Sequence, residues 1–423
     1  MVNKFILLFL GVFAASQLEA QSPVSLTLDA ACDSAAVHYP ITRQRGLIAQ
    51  TAGLSVENLG KAYLPQITVS GQATYQSDVT QLKIPLPGFT VDPLSKDQYK
   101  LVTEVSQLIY DGGGIKNQKE LQGLNATIEV EKVEVELYKL RERVTQVFLG
   151  ILFLDEQLKQ VELVEADINN GIQKTEAQVK NGVAFRSNLN LLKAELLKAK
   201  QRRIELTASR KGWLGVLGLF LGTTLPESIE LITPNSPAIA NTTIDRPELR
   251  QLSAQQKAVG LQAKLIDSRN LPKASLFVQG GYGRPGLNFL DNNFRFFYMG
   301  GVRLNWSIGG MYTQKRDKQL LNITGNSIDL QKEAFLLNTQ TQLRQQQSEI
   351  DKQQELLETD NEIIGLRESV VAAVKAQLDN GVITASDYLR EVNAADQARQ
   401  TKTTHKVQLL QAQINYQLLT GKK

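Results

Sequence analysis

The sequence is poor in the residues that build metal sites and cross-linked frameworks. Its 423 residues include one cysteine, Cys32, and two histidines, His38 and His405. A single cysteine excludes an intrachain disulfide. Neither histidine has another histidine or a cysteine at ligand spacing, so no metal site is predicted. No nucleophile–base pattern stands out either, and the sequence predicts no catalytic residue and no cofactor.

Aromatic residues and blocks of like charge are also scarce. Aromatics make up 6% of the chain, and its 47 basic and 43 acidic residues give a net charge of +4. These charges are spread along the whole sequence, whereas proteins that bind a phosphate backbone concentrate basic residues. Nucleic acid is therefore not an expected partner.

The longest apolar run at the start of the chain extends from Phe5 to Ala15, directly after Lys4. It is shorter than the roughly 20 apolar residues of a transmembrane helix, and no later segment reaches that length. A lysine, an apolar run and then small residues are typical of a secretory signal peptide. We expect residues 1–20 to be a signal peptide of an exported protein; a buried N-terminal helix is the alternative.

Short motifs recur in the same order in two halves of the chain. The residues that follow Tyr63, Leu-Pro-Gln-Ile-Thr-Val, recur after Asn270 as Leu-Pro-Lys-Ala-Ser-Leu, and Asn181-Gly-Val recurs as Asn380-Gly-Val. A segment rich in Pro, Thr, Asn and Ser separates the halves. This order predicts an internal duplication, with repeats at 21–222 and 246–423 and a connector at 223–245, since chance recurrence would not keep the order.

Four segments alternate between apolar and polar residues, as strands do. They lie at about 65–77 and 99–109 in the first repeat and at about 272–283 and 294–308 in the second. Strands of about ten residues with one apolar face and aromatics near their ends are typical of a transmembrane β-barrel. A soluble sheet packed on a helix is the alternative.

The number of strands has a consequence for assembly. Four strands cannot close a membrane barrel, for which about eight are needed. Open sheet edges are excluded from lipid because their backbone groups would lack hydrogen-bond partners. If these strands enter a membrane, three copies of the chain, contributing twelve strands, are expected to share one barrel.

Apolar residues at heptad spacing predict long helical hairpins at about 115–220 and 312–420. In the second hairpin, leucine, isoleucine or valine stands at every seventh position: Leu336, Leu343, Ile350, Leu357, Ile364, Val371 and Leu378. The rest of that helix is very polar, which suits the wall of a water-filled tunnel. A plain exposed coiled coil is the alternative. Both helical runs stop at Asn-Gly, which favours a left-handed helix end.

These features resemble the outer membrane efflux protein family, the TolC-like channels. The resemblance rests on the opening Leu26-Thr-Leu-Asp-Ala-Ala, the Leu-Pro before the first strand of each half, the Gly-Gly after each return strand, the two Asn-Gly-Val turns and the closing Tyr416-Gln-Leu-Leu-Thr-Gly. It implies a mainly α fold with a β transmembrane portion. In that fold a homotrimeric twelve-stranded β-barrel, with four strands per chain, is continued by a long α-helical barrel of coiled-coil hairpins.

The resemblance also implies a function without chemistry of its own. It implies a channel in the outer membrane of a Gram-negative bacterium that extends into the periplasm and conducts efflux or type I secretion. The implied partners are a periplasmic adaptor protein, an inner-membrane transporter of the RND or ABC class, and outer-membrane lipid. The turns implied to dock the adaptor contain Asn181, Gly182, Val183, Ser187, Asn380, Gly381, Val382 and Ser386.

One position departs from the pattern of the family. Two aspartates three residues apart are expected near the second turn, but Asp387 is followed by Arg390, with Glu391 beside it. A mixed-charge pore constriction is therefore our hypothesis for these three residues.

A trimeric coiled-coil adhesive stalk with a membrane anchor is the rival function, and an exported enzyme is a third. The motif from Gly281 to Gly286 has a dinucleotide-binding spacing, but we interpret it as a surface loop because Pro285 disfavours an opening helix. The glycines after Asp111 lack the Lys-Ser/Thr of a phosphate cradle and predict a strand-to-helix hinge.

Overall fold

The structure is a computed structural model that describes residues 25–80, 93–235 and 243–421. The predicted signal peptide at 1–20 lies outside the described residues, as do residues 236–242 of the predicted connector. The described chain is mainly helical, as the sequence predicts. Its helices are α1 (Leu28–His38), α2 (Gln44–Gly60), α3 (Gly114–Lys180), α4 (Arg186–Leu221), α5 (Pro247–Arg269), α6 (Met311–Asp379) and α7 (Ala385–Thr420).

Six strands form two sheets in the described residues. They are β1 (Ser25–Leu26), β2 (Gln66–Tyr75), β3 (Asp97–Tyr110), β4 (Glu230–Leu231), β5 (Lys273–Arg284) and β6 (Arg295–Asn305). The two-residue strands β1 and β4 pair in parallel. The other four form an antiparallel sheet in the order β2-β3-β5-β6, so that β2 and β6 are its edge strands.

The chain divides into two compact units, and helices α3 and α6 contribute residues to both. One unit contains residues 25–42, 134–247 and 336–421 within the described ranges, and therefore holds α1, α4 and α7. The other contains residues 43–133 and 248–335, and holds the four-stranded sheet with α2 and α5. In the described part of the chain, no helix is both long and apolar enough to cross a membrane.

The helical unit has two separate apolar cores. The larger core packs α1 against α3, α4 and the end of α7, and it includes Cys32, Phe148, Ile151 and Leu217. The smaller core lies beside the turns that join α3 to α4 and α6 to α7, and it centres on Ile168, Leu192, Tyr388 and Val392. Because each helix has a narrow apolar seam, these cores form only where seams meet.

The contact between α6 and α7 also contains buried polar residues. Gln353 and Asp360 lie seven residues apart on α6 and are almost fully buried. Gln353 Nε2 donates a hydrogen bond to Gln408 Oε1 at 3.0 Å, and Asp360 Oδ2 lies 2.6 Å from His405 Nδ1. Buried polar groups need such partners because they cannot form hydrogen bonds to water.

The two glycine motifs have structural roles in the sheet unit. Asp111 accepts hydrogen bonds from the backbone N–H groups of Gly113 and Ile115, so its own carboxylate caps the start of α3. Gly281 and Gly283 lie inside strand β5, and the interpretation of this part of the motif as a surface loop was wrong. At Gly281 a side chain would collide with the ring of Phe297, which explains why glycine stands there.

Candidate functional site

Both hairpin turns end their first helix in the same backbone geometry. In the turn after α3, Gly182 has φ +74° and donates to Val179 O, while Val183 N donates to Gln178 O. After α6, Gly381 has φ +69°, with the equivalent bonds from Gly381 N to Leu378 O and from Val382 N to Gln377 O. This is the Schellman arrangement, which satisfies the last helical carbonyls and requires a left-handed residue, normally glycine.

The residues predicted to dock an adaptor lie at these turns and are exposed. This holds for Asn181, Gly182, Val183, Ser187, Asn380, Gly381, Val382 and Ser386. Val183 and Val382 are 70% and 72% exposed, and Phe185, which the sequence reading missed, is 79% exposed. Both turns therefore carry exposed apolar side chains.

The two turns are also tied to each other. Lys174 Nζ lies 2.5 Å from Asp379 Oδ2, and Gln178 Nε2 donates to Leu378 O at 2.6 Å. A Cβ atom placed on Gly381 would lie 3.8 Å from Val183 Cγ1, an ordinary van der Waals distance. The end of α3 is therefore held against the end of α6 by an ion pair and a hydrogen bond.

Asp387 belongs to the start of helix α7. Thr384 Oγ1 accepts from Asp387 N at 3.2 Å, and Asp387 Oδ2 accepts from Thr384 N at 3.3 Å and from the Thr384 hydroxyl at 2.7 Å. This is a capping box, which satisfies two free N–H groups at a helix start. The hydrogen bonds from Thr384 keep the pKa of Asp387 below its usual value, and the Arg390 charge acts in the same direction.

The other two residues of the predicted constriction lie one turn further along α7. Arg390 is exposed and lies 3.6 Å from Asp387 Oδ1 and 3.1 Å from Glu391 Oε1. Arg367 of α6 also reaches Glu391, at 3.3 Å. The structure thus brings Asp387, Arg390 and Glu391 together in one cluster in which positive and negative charges alternate.

Tyr388 holds this region together, although the sequence reading did not single it out. Its side chain is 1% exposed, and its hydroxyl donates to the backbone carbonyl of Asp167 on α3 at 3.2 Å. Burial raises the pKa of Tyr388 to about 12, and the nearby carboxylates of Asp167 and Asp379 add to this shift. The 3-4-3 spacing of Ala385, Tyr388, Val392 and Ala395 was the signal that could have identified it.

The second candidate site is the four-stranded sheet. One of its faces is apolar and exposed to an unusual degree, with Phe296 and Tyr298 each 85% exposed. The strand register places the following apolar residues on this same face: Ile67, Val69, Leu101, Val105, Leu276, Val278, Tyr282, Val302 and Leu304. All of them are exposed. A soluble sheet would cover such a face with a helix or a second sheet.

The opposite face is polar and better shielded. In the middle of β3 and β5 the residues of this face, such as Glu104 and Gln279, are half-buried, whereas their apolar neighbours in sequence are exposed. Arg303 makes two hydrogen bonds to Glu104, at 2.6 and 3.0 Å, and its guanidinium lies 4.4 Å from the centre of the Phe277 ring. The sheet therefore exposes its apolar face and shields its polar face, which is the reverse of a soluble sheet. We call it the inverted sheet.

Aromatic side chains cluster where the sheet ends near Arg284. Tyr282 stacks on Phe294 with ring centres 5.5 Å apart and contacts Phe296 at 4.6 Å. Trp306 follows β6 at the other end and donates its indole N–H to Asn270 O at 3.0 Å. Aromatic residues at both ends of an exposed apolar band are the arrangement found at membrane interfaces.

Comparison with known proteins finds likeness in structure and none in sequence. No family model and no curated protein matches the sequence. The solved structure of CusC is 14% identical and covers 94% of this chain and 92% of its own, with a TM-score of 0.68. The outer membrane protein VceC of Vibrio cholerae is 12% identical; the match covers 93% of this chain and 96% of VceC, with a TM-score of 0.65. The CmeC outer membrane channel of Campylobacter jejuni is 12% identical, with coverage of 93% and 85% and a TM-score of 0.64.

Structural similarity at such low sequence identity is evidence for a shared fold only. The matches extend over nearly the whole chain. The chain has the fold of the TolC-like outer-membrane channels, as the motifs of its sequence predict.

Proposed function

We propose that the chain is the outer-membrane channel of a tripartite efflux or type I secretion system, a passive exit duct in a Gram-negative bacterium. The inverted sheet is the observation that carries this proposal. Each exposed Å² of apolar surface costs about 25 cal/mol in water. Lipid around the apolar face removes that cost, while the polar face can line a water-filled bore.

The edges of the sheet support a trimer. Strands β2 and β6 each pair with one neighbour only in the described chain, and unpaired backbone groups cannot remain in lipid. Pairing β2 of one copy with β6 of the next would satisfy both edges. Three copies would close a twelve-stranded barrel.

Helix α6 supports the same assembly. Besides its buried seam it has a second apolar stripe at Leu320, Ile323, Leu330 and Leu337, and all four side chains are more than 60% exposed. The last three follow a strict heptad spacing, which is the pattern of a helix that packs against another helix. We assign this stripe to contacts between sister copies that form the α-helical barrel.

The hairpin turns are the proposed gate of the duct. The contacts of Lys174 with Asp379 and of Gln178 with Leu378 O tie the two hairpins of one copy together, so opening would have to break them. The double variant Lys174→Ala/Gln178→Ala should therefore raise single-channel conductance. Lys159→Ala is the control, because its partner Glu156 lies on the same helix.

The mixed-charge cluster is proposed to narrow the mouth beside this gate. If Asp387 faces the pore, divalent cations should block wild-type conductance more strongly than that of Asp387→Ala. Equal block in the two proteins would remove Asp387 from the mouth while leaving the duct in place.

The exposed turns are the proposed docking surface for a periplasmic adaptor that links the duct to an inner-membrane RND or ABC transporter. Val183, Phe185 and Val382 would supply apolar contacts there, and the four polar residues Asn181, Ser187, Asn380 and Ser386 are exposed at the same turns. The double variant Val183→Asp/Val382→Asp should abolish export in cells but leave the conductance of the purified channel unchanged. Loss of both would indicate a folding defect instead.

Two neighbouring residues of β5 test the membrane assignment. Val278 projects from the apolar face and Gln279 from the polar face. Val278→Arg should prevent trimer insertion, since a cation on the lipid face costs about 2–4 kcal/mol at the midplane. Gln279→Arg should insert normally. Equal insertion of the two variants would argue for a sheet that is covered by protein.

Conductance separates the duct from the adhesive stalk. Purified wild-type protein should form steady open channels in planar bilayers. A coiled-coil stalk with a membrane anchor would insert without such channels, and that result would favour the rival function.

A further inference from the structure

The polar face of the sheet carries more positive than negative side chains. The register places five charged residues on it: Lys100, Glu104, Lys273, Arg295 and Arg303. Arg303 is neutralised by Glu104, and Arg295 pairs with Asp291 at 2.9 Å. The remaining net charge of this face therefore comes from Lys100 and Lys273.

These two lysines are exposed and have no carboxylate partner among the ion pairs of the described residues. Lys100 Nζ lies 5.1 Å from the centre of the Phe297 ring, which holds the ammonium group against the polar face. Lys100 is opposite Gly283 on β5, ten residues from Lys273, or about 33 Å along the strand at ~3.3 Å per residue. One lysine thus lies near each end of the face.

The wall between the two lysines is uncharged apart from the Arg303–Glu104 pair. Its polar side chains are Thr68, Ser70, Gln72, Ser106, Ser275 and Gln279, and the apolar side chains of Val102, Phe277, Phe297 and Met299 lie on the same face. An unpaired charge in such a wall acts over about 8 Å at physiological ionic strength, and over about 30 Å at 0.01 M. A low-dielectric wall around a narrow space strengthens this effect.

We infer that the bore of the barrel prefers anions over cations. This inference rests on the proposed function, because it needs three copies with their polar faces around one bore. Lys100 and Lys273 then form two rings of three positive charges, one near each mouth of the barrel. The four charges of Arg367, Asp387, Arg390 and Glu391 at the turns are mutually paired and do not oppose this preference.

The test is the reversal potential of purified wild-type channels in a planar bilayer under a KCl gradient, at low ionic strength. The permeability ratio of chloride to potassium should exceed unity. The double variant Lys100→Glu/Lys273→Glu should bring it below unity, and Lys100→Arg/Lys273→Arg should keep the wild-type value.

A third variant changes the charge without touching either lysine. Glu104→Gln keeps a similar side-chain shape but leaves Arg303 without its counter-charge, so the ratio of chloride to potassium permeability should rise above that of wild type. A wild-type channel that conducts but has a ratio at or below unity would overturn the anion preference and leave the duct intact. A protein that forms trimers without conductance would overturn the proposed function, and the inference with it.

Discussion

The ring of Tyr388 packs against Gly171, where a Cβ atom would lie 3.0 Å from Tyr388 Cε1 and 3.4 Å from Leu192 Cδ2. Glycine lowers helix stability by about 1 kcal/mol relative to alanine, yet here its missing side chain makes room for a buried aromatic ring. The same ring carries the hydroxyl that bonds to Asp167 O. Gly171 and Tyr388 together fix how α7 meets α3.

We expect Gly171→Leu to destabilise the hairpin turns by about 1–3 kcal/mol, the usual cost of overpacking a core. Gly123→Leu is the matched control, since Gly123 lies in the same helix with open space at its Cβ position. Hydrogen–deuterium exchange of peptides covering 160–175 and 385–395 measures the effect. Equal exchange in the two variants would contradict the tight fit at Gly171.

Alkaline pH should weaken the same core through Tyr388. Its pKa is raised to about 12, so between about pH 10 and pH 12 the unfolded chain loses a proton that the folded chain keeps. The free energy of unfolding therefore falls as pH rises through this window, and Tyr388 contributes no change below it. The Tyr388→Phe variant should have a weaker pH dependence of its unfolding temperature; an identical pH profile would rule out this source.

The capping box at the start of α7 gives a further prediction. Thr384→Ala removes the hydroxyl that accepts from Asp387 N, and should cost about 1 kcal/mol. Thr384→Ser keeps an acceptor at this position and should cost much less. The measurement is the apparent unfolding temperature of the purified protein in detergent, and a serine variant as unstable as the alanine variant would count against the cap.

Two glycines of α6 and its turn should respond in opposite directions to alanine. Gly381 has φ +69°, where an alanine costs roughly 1–2 kcal/mol, so Gly381→Ala should lower the unfolding temperature. Gly365 lies inside helix α6 with open space at its Cβ position, so Gly365→Ala should raise it by the helix preference of alanine. If both variants changed the unfolding temperature in the same direction, the left-handed backbone at Gly381 would not be what disfavours alanine there.

The heptad spacing of apolar residues correctly predicted which side of α6 is buried. Of the heptad residues of α6, Leu343, Ile350 and Leu378 are buried in the structure, as a seam requires. The remaining positions of this helix were interpreted as wetted surface because they are very polar. That interpretation was wrong for Gln353 and Asp360, which are buried against Gln408 and His405. Their burial depends on partners on another helix, which periodicity within one helix does not contain.

The strands illustrate another limit of sequence reasoning. Alternation correctly predicted which side chains share a face of β6. Phe296 and Tyr298 lie on one face of the strand, and Arg295 and Arg303 lie on the other. It extended the last strand to Ile308, whereas β6 ends at Asn305 and Ile308 begins a short 3-10 turn. Alternation continues through Trp306, but its indole bonds to Asn270 O instead of a neighbouring strand. The internal duplication and the trimer stay predictions.

The candidate site was predicted in its position but not in its internal contacts. Asn-Gly at both turns gave the helix ends, because a left-handed glycine is a local requirement. The pairing of Arg390 with both Asp387 and Glu391 follows from their spacing on one helix. The ties from Lys174 and Gln178 to the end of α6 join residues about 200 positions apart in sequence, and no local pattern could reveal them.

The buried pair of Asp360 and His405 limits how the second hairpin can move. If α6 slipped past α7 by one heptad, Asp360 would face Ala398 or Ala412, and its carboxylate would be left buried without a partner. Such a loss typically costs several kcal/mol. Gln353 and Gln408 would lose each other in the same step. Helices α6 and α7 must therefore move together as one rigid unit. Any rearrangement of this protein has to take place at helix contacts that contain no buried polar pair of this kind.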